Sequence, residues 1–285
     1  MQTLAAAPLV LIRGGGDLAT GIAHRLRRAG LAVLVTELPQ PLTVRRAVAF
    51  AEAVYEGEIE VEGITARRAP DLQAALICIN VGEVAVLVDD VGLSLPRLQP
   101  PIVVDARMAK QPLDTRLTDA PLVIGIGPGF VAGENCHAVV ETNRGHNLGR
   151  VYWQGCAETD TGQPEAVQGF TGQRVLRAPS DGLFIGHARI GDKIKAGEAL
   201  ASVAGQPIIT TFDGVLRGIL HDGIPVTAGM KVGDLDPRGR PDYCFTISDK
   251  ARAVGGGVLE AILAGVDKRR PQPGNSTTNS QGVSA

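Results

Sequence analysis

The stretch Leu9-Val10-Leu11-Ile12-Arg13-Gly14-Gly15-Gly16-Asp17-Leu18-Ala19-Thr20-Gly21 decides how this chain is read. Leu9 to Ile12 is a short apolar run of the kind that forms a buried strand. Gly14, Gly15 and Gly16 follow, and three residues without a Cβ allow a sharp turn. Asp17 stands where a carboxylate can cap the orphan N–H groups of a starting helix. Leu18, Ile22 and Leu26, with Ala19 and Ala23 beside them, then share one helical face. Strand, glycine turn and helix in that order open a nucleotide-binding βαβ unit. Gly14, Gly16 and Ala19 fit G-x-G-x-x-G/A: the first allows the turn, the second lets a phosphate approach, and the third lets helix pack on strand. The anion would rest on the N–H groups between Gly14 and Leu18, at the positive end of the helix dipole. The plainer alternative is a tight turn that binds nothing.

Outward from this turn, Leu31 to Val35 reads as a second strand ending at Thr36-Glu37. Glu37 lies about 20 residues past the glycines, where an acidic residue binds a ribose hydroxyl. Pro39 and Pro41 stiffen the following loop. A helix is expected from near Thr43, because Val44, Val48, Ala51 and Tyr55 share one face. Arg45 and Arg46 fall in its first turn, where cations are disfavoured. They either bind an anion or are simply solvated.

Composition sets the bounds. The chain has 285 residues, enough for two domains, and a formal net charge of −2. It carries no large basic field, which argues against nucleic acid as a partner. It has no run of apolar residues long enough to span a membrane. Met1 to Pro8 lacks the charged region of a secretion signal. Cys78, Cys136, Cys156 and Cys244 are far apart, with no C-x-x-C pair, which fits a reducing, cytoplasmic setting.

Glu58 to Glu62 alternates like a half-exposed strand. Ala75 to Ile79 (ending at Asn80), Val84 to Val88, Ile102 to Val104 and Leu122 to Ile126 read as buried strands. Each ends in polar residues or glycine, as in a mostly parallel sheet whose ligands gather at the carboxyl edge. Asn80, Asp105, Arg107, Gly125 and Gly127 are therefore expected near the first glycine turn. Ala138 to Val140 is another strand, set in an unusually polar block. Cys136 beside His137 is either a reactive thiol or a buried structural one, since neighbours on a strand face opposite ways. Asn143, Arg144 and His146 read as an anion-recognition loop. Cys136, His137 and His146 match no recognised metal-ligand spacing, so no metal is assigned.

Near Val151 the helical patterning stops. Asp181-Gly182-Leu183 recurs as Asp213-Gly214-Val215, and Gly191 to Gly197 recurs at the same offset as Gly223 to Gly229. Ala178-Pro179-Ser180-Asp181-Gly182 and the glycine turns after it resemble biotinyl and lipoyl domains. The hairpin at Val203 to Ile208, where those domains carry their prosthetic group, has no lysine, which implies docking rather than a swinging arm. A final helix is expected after Gly255 to Gly257, burying Val258, Ile262 and Leu263, and Asp267 to Ala285 reads as disordered.

The expected fold is thus α/β, a Rossmann-like mostly parallel sheet domain followed by a β-rich barrel-sandwich-hybrid (biotinyl/lipoyl-like) domain. The divisions are 1–150, 151–248, a helix at 249–266 and a tail at 267–285. Arg13 to Gly21, Glu37 to Arg46, Phe50 to Tyr55, Gly127 to His146 and Val232 to Arg238 together resemble the YqeB-type accessory proteins of molybdenum hydroxylases, a family associated with selenium-dependent enzymes of the xanthine dehydrogenase type. The resemblance implies a maturation factor acting on modification or insertion of the molybdenum cofactor for a client hydroxylase. Its candidate residues are Gly14, Gly16, Asp17, Glu37, Arg45, Arg46, Asn135, Cys136, His137, Asn143, Arg144 and His146. The ligand would be a small phosphorylated molecule, either a nucleotide such as NAD(P) or molybdopterin. Cys136 would handle sulfur or selenium. An NAD(P)-linked oxidoreductase and a non-catalytic scaffold stay open as alternatives, as does a homo-oligomer.

Overall fold

A computed structural model describes residues 7–108, 114–159 and 167–267. The N-terminal stretch read as lacking a secretion signal, apart from its last two residues, and the polar tail after Asp267 lie outside the described residues. The glycine turn joins strand β1 (Leu9–Arg13) to helix α1 (Asp17–Arg28). Then come β2 (Ala32–Glu37), α2 (Ala53–Glu56), β3 (Glu58–Val61), β4 (Ile64–Ala69), α3 (Leu72–Asn80), β5 (Val84–Val88), α4 (Ser94–Leu98), β6 (Ile102–Asp105) and β7 (Leu122–Ile126). Short strands β8 (Val131–Ala132), β9 (Ala138–Val140), β10 (Val151–Tyr152) and β11 (Gly155–Cys156) follow.

Nine of these strands form one sheet in the order β10-β9-β7-β6-β1-β2-β5-β4-β3. Its interior is parallel, while β9–β10 and β3–β4 make antiparallel edges. The β3–β4 hairpin turns on Glu62 and Gly63, both at positive φ (46° and 78°). That is the two-residue turn whose twist suits a hairpin. Central strands are apolar on both sides because both faces are covered. One face, carrying Val10, Ile12, Val33 and Ile124, packs on α1 and on α5 (Asp249–Asp267). The other, carrying Leu11, Leu34, Val103 and Val123, packs on α3.

The second half contributes β12 (Val175–Arg177), β13 (Gly182–Gly186), β14 (Lys193–Ile194), β15 (Ala199–Val203), β16 (Gln206–Ile209), β17 (Gly214–Ile219), β18 (Pro225–Val226) and β19 (Lys231–Asp236). They form two four-stranded antiparallel sheets, β12-β19-β17-β14 and β16-β15-β13-β18. The sequence repeat is visible in matching bonds: Ala196 N–H donates to Asp213 and Ala228 N–H to Asp181, at 3.0 and 2.8 Å.

These observations correct the expected fold class. The chain is a mixed α/β fold with several antiparallel sheets, not a Rossmann-like domain followed by a biotinyl/lipoyl-like barrel-sandwich hybrid. The second half packs a buried cluster of its own, from Leu176 to Leu235, and the first half adds to its edge. Val44 and Tyr55 from the first half pack into it, and Ile219 N–H donates to Val44 O at 2.8 Å.

Local expectations are corrected too. Ala75 to Ile79 is helical, within α3, started by Asp71 accepting from Ala74 N–H at 2.8 Å. No long helix starts at Thr43. The segment breaks into 3₁₀ turns at Arg46–Val48 and Phe50–Glu52 because Ala49 between them is extended. Gly255 to Gly257 do not precede the last helix but lie inside α5. A Cβ on Gly21 would meet Ala251 at 2.7 Å, and one on Gly255 would meet Gly21 O at 2.7 Å. The glycines let α5 and α1 approach each other. Val258 and Ile262 are buried as expected, but Leu263 is exposed.

Candidate functional site

The strand order reverses direction at β1, with β2 on one side and β6 on the other. In such sheets the crevice outside the carboxyl ends at this point is where ligands bind. The glycine turn stands there. Gly14 has φ +91°, and a Cβ on it would lie 3.1 Å from Arg107 Cα. A Cβ on Gly15 would lie 2.9 Å from Ala51 N. These two glycines are needed for the protein's own packing. Gly16 differs: it has φ −64° and nothing within 4 Å of a Cβ built on it, so its outer side is open.

Gly16 is the N-cap residue of α1 and makes no side-chain cap bond. The first bond into the helix runs from Thr20 N–H to Gly16 O, 2.8 Å. The N–H groups ahead of Thr20 therefore have no intrahelical acceptor. Asp17 does not cap them. Its carboxylate pairs with Arg45 at 3.1 Å. Arg45 is buried, and its other terminal nitrogen donates to Tyr243 O and Thr246 O, both at 3.3 Å. It ties the start of α1 to the segment leading into α5. Leu18, partly buried, packs against the core.

Glu37 reaches the turn from the end of β2, but not as a free ribose acceptor. One oxygen accepts Gly15 N–H at 2.6 Å and the other accepts Leu38 N–H at 2.7 Å. Burial pushes this carboxyl above its usual range, and those two amide bonds oppose the shift. Arg46 points elsewhere, donating to Glu52 at 2.9 Å and Ile219 O at 3.2 Å. Beside the turn, Asp105 at the end of β6 is wholly buried and holds Arg107, while Arg13 and Arg107 both reach Asp114, at 2.8 Å each. Asp105, Arg107 and Gly125 thus meet near β1, as their places at strand ends implied. Asn80, at the end of α3, does not belong to a strand end at all.

His137 is not part of this edge, and Cys136 lies sealed behind it, close enough to Gly125 and Asp105 for both to act on its thiol. Cys136 is wholly buried on the sheet face away from α1, and burial pushes its thiol up to about 11. A thiol held there is neutral at physiological pH and packs as an apolar group. His137 Nδ1 accepts Val123 N–H at 3.0 Å, near the amino end of β7. The polar loop after β9 is internally braced. Glu141, wholly buried, accepts from Thr142, Asn143 and Glu158 N–H, each at 2.7 Å. Asn143 donates to Glu158 at 2.6 Å. Arg144 forms a two-pronged pair with Asp249, and that guanidinium holds the Asp249 carboxyl down to about 2. His146 is exposed.

Two cationic features escaped the sequence reading. Arg13 fell just past the strand read over Leu9 to Ile12 and was given no role. Arg217 sits in the apolar stretch Val215 to Leu220, and a lone arginine there was the available signal. Its side chain is 12% exposed, its nearest carboxylate is Asp236 at 3.8 Å, and its buried Nε has no hydrogen bond. Burial first, and then the charge of Arg45, lower its pKa.

Among the described residues no helix is long and apolar enough to cross a membrane. No protein-family model matches the chain. Three solved structures overlap much of it at low similarity. An aspartoacylase family protein from Mesorhizobium loti has TM-score 0.27 and 11% identity, covering 82% of this chain and 87% of that one. A succinylglutamate desuccinylase/aspartoacylase from Rhodobacter sphaeroides has TM-score 0.26 and 16% identity, with coverages of 81% and 85%. The ectoine utilization protein EutE (DoeB) from Ruegeria pomeroyi has TM-score 0.24 and 12% identity, with the same coverages. Scores this low say nothing about function. Sequence says more. The chain is 48% identical over 255 residues to Escherichia coli K12 "Uncharacterized protein YqeB", covering 90% of this chain and 47% of that protein, so it spans about half the relative's length. Identity at this level over nine-tenths of the chain supports its placement in the YqeB family.

Proposed function

We propose that this chain is an accessory factor for a molybdenum hydroxylase of the xanthine dehydrogenase type, and that it holds a small phosphorylated ligand at the start of α1 while the cofactor is modified or inserted. The observation that carries the binding half is the open side of Gly16 beside backbone N–H groups that α1 cannot satisfy itself. The hydroxylase half rests on the motif resemblance alone. Selenium use and a cytoplasmic setting belong to the same proposal. Glu37 already accepts a backbone N–H on each oxygen, which makes it a weaker fit to the ribose acceptor of the NAD(P)-linked oxidoreductase reading. The phosphate of molybdopterin needs no such acceptor. Cys136, wholly buried, is ill placed to carry sulfur or selenium in this conformation.

Gly16→Val is the test. The residue's φ is one that any amino acid adopts and its Cβ would meet nothing, so the fold should survive. Binding of molybdopterin should weaken at least tenfold. Deleting the gene should abolish client hydroxylase activity while the hydroxylase protein persists at normal levels. Unchanged hydroxylase activity in the deletion would remove the accessory role.

A further inference from the structure

We propose that Glu52, Glu56 and His221 form a binding site for a first-row divalent cation of the zinc type, at the seam between the two halves and apart from the glycine turn. Ligand atoms of the three side chains lie within 4.8 Å of one another. Glu52 closes one 3₁₀ turn and Glu56 the helix that continues from it, and a spacing of four puts both carboxylates on one face. His221 comes from the loop after β17 and brings Nε2 to 3.7 Å from Glu56 Oε1.

The imidazole is set up as a ligand. Its ring stacks on Tyr55, centroids 4.2 Å apart at 14°, and the Tyr55 hydroxyl is itself fixed by donating to Pro41 O at 3.0 Å. His221 Nδ1 faces Asp222 O at 3.4 Å, the contact that leaves the lone pair on Nε2. The second point is Glu52. Its side chain is 8% exposed, yet only Oε1 is bonded, by Arg46. Oε2 has no hydrogen bond among the described residues. That oxygen is not sealed off from solvent, so it is available to a cation entering the cleft. A cleft of about 410 Å³ opens here, lined by Arg46, Ala47, Glu52, Glu56, Arg189 and Ile190. One imidazole with two carboxylates suits a borderline cation such as Zn²⁺. Ligand atoms around tetrahedral zinc stand roughly 3.4 Å apart, so small side-chain rotations complete the set. Three protein ligands leave a position open to the cleft, where Arg46 and Arg189 favour an anionic fourth ligand.

The test is calorimetric titration of Zn²⁺ into the purified chain carrying Cys156→Ser, since Cys156 is an exposed thiol that could bind zinc on its own. One Zn²⁺ per chain is expected, with a raised Tm. His221→Ala and Glu56→Gln should each weaken binding at least tenfold and abolish the Tm rise, Glu56→Gln with the metal-free Tm unchanged. Glu56 is exposed, so that variant stays folded even if His221→Ala does not. Exposed Glu134→Gln should bind as the parent does. Absence of saturable binding, or equal affinity in both site variants, overturns the proposal.

Discussion

Alanine replacing Gly256 and alanine replacing Gly257 should move stability in opposite directions, although the two residues are neighbours in one helix. Helix propensity alone predicts a gain of about 1 kcal/mol for either change, because alanine loses less chain entropy than glycine. The surroundings differ. A Cβ on Gly256 would meet nothing within 4 Å, so the gain should appear nearly in full. A Cβ on Gly257 would lie 2.2 Å from Gly149 O and 2.8 Å from a Val140 methyl. Ordinary contact begins above 3 Å, so α5 or the loop at Gly149 must move by about 1 Å. Overpacking of that kind costs about 1–3 kcal/mol, and the partner here is backbone, which cannot rotate away. Net of propensity, Gly257→Ala should destabilise by up to about 2 kcal/mol, placing the two variants up to about 3 kcal/mol apart. Urea unfolding followed by far-ultraviolet circular dichroism measures the gap. Equal shifts of the same sign would refute the packing of α5 on β9 and the Gly149 loop. They would also undercut the way α5 holds α1 in place.

Three other outcomes follow from the same contacts. Native Cys136 should resist alkylation at pH 8 while Cys156 reacts fully, as mass spectrometry of the labelled protein would show; comparable rates would contradict the burial. The Arg144–Asp249 pair depresses the folded-state pKa of Asp249, so its contribution is present above the usual carboxylate pKa and fades as pH falls from about 4 towards 2. Asp249→Asn should therefore lower Tm near neutrality, with the loss shrinking as pH falls towards 2, checked by Tm against pH. Glu37→Gln should lower stability by about 1–2 kcal/mol, since an amide offers one acceptor where two N–H groups now find two.

Much of the scaffold could be read from the chain. Strands β1, β2, β5, β6 and β7 are nearly all apolar because helices or loops cover both faces, and that pattern is local. Ala75 to Ile79 failed because a short apolar run fits a strand or a buried helix equally. The cap residue Asp71 held the deciding signal. Gly255 to Gly257 were read as preceding the last helix, whereas close approach of α5 to α1 and to the Gly149 loop is what requires small residues inside it, and no sequence window contains both partners. The second half misled for a related reason: its glycine repeat specifies matching turns, but which strands pair into the two sheets is set by contacts far apart in the chain. At the site, the place of Glu37 was legible from spacing, but its partner was not. Nor could Cys136 be sorted from the sequence, since burial decides its chemistry.

The most direct measurement is titration of molybdopterin, NAD⁺, NADH and NADP⁺ into the wild-type chain and the Gly16→Val variant, by calorimetry at low salt. Saturable binding of molybdopterin to the wild type, at least tenfold weaker in the variant with an unchanged Tm, is the expected result. Failure of every phosphorylated ligand to bind, or binding indifferent to Gly16→Val, would leave the open corner at the start of α1 without a ligand.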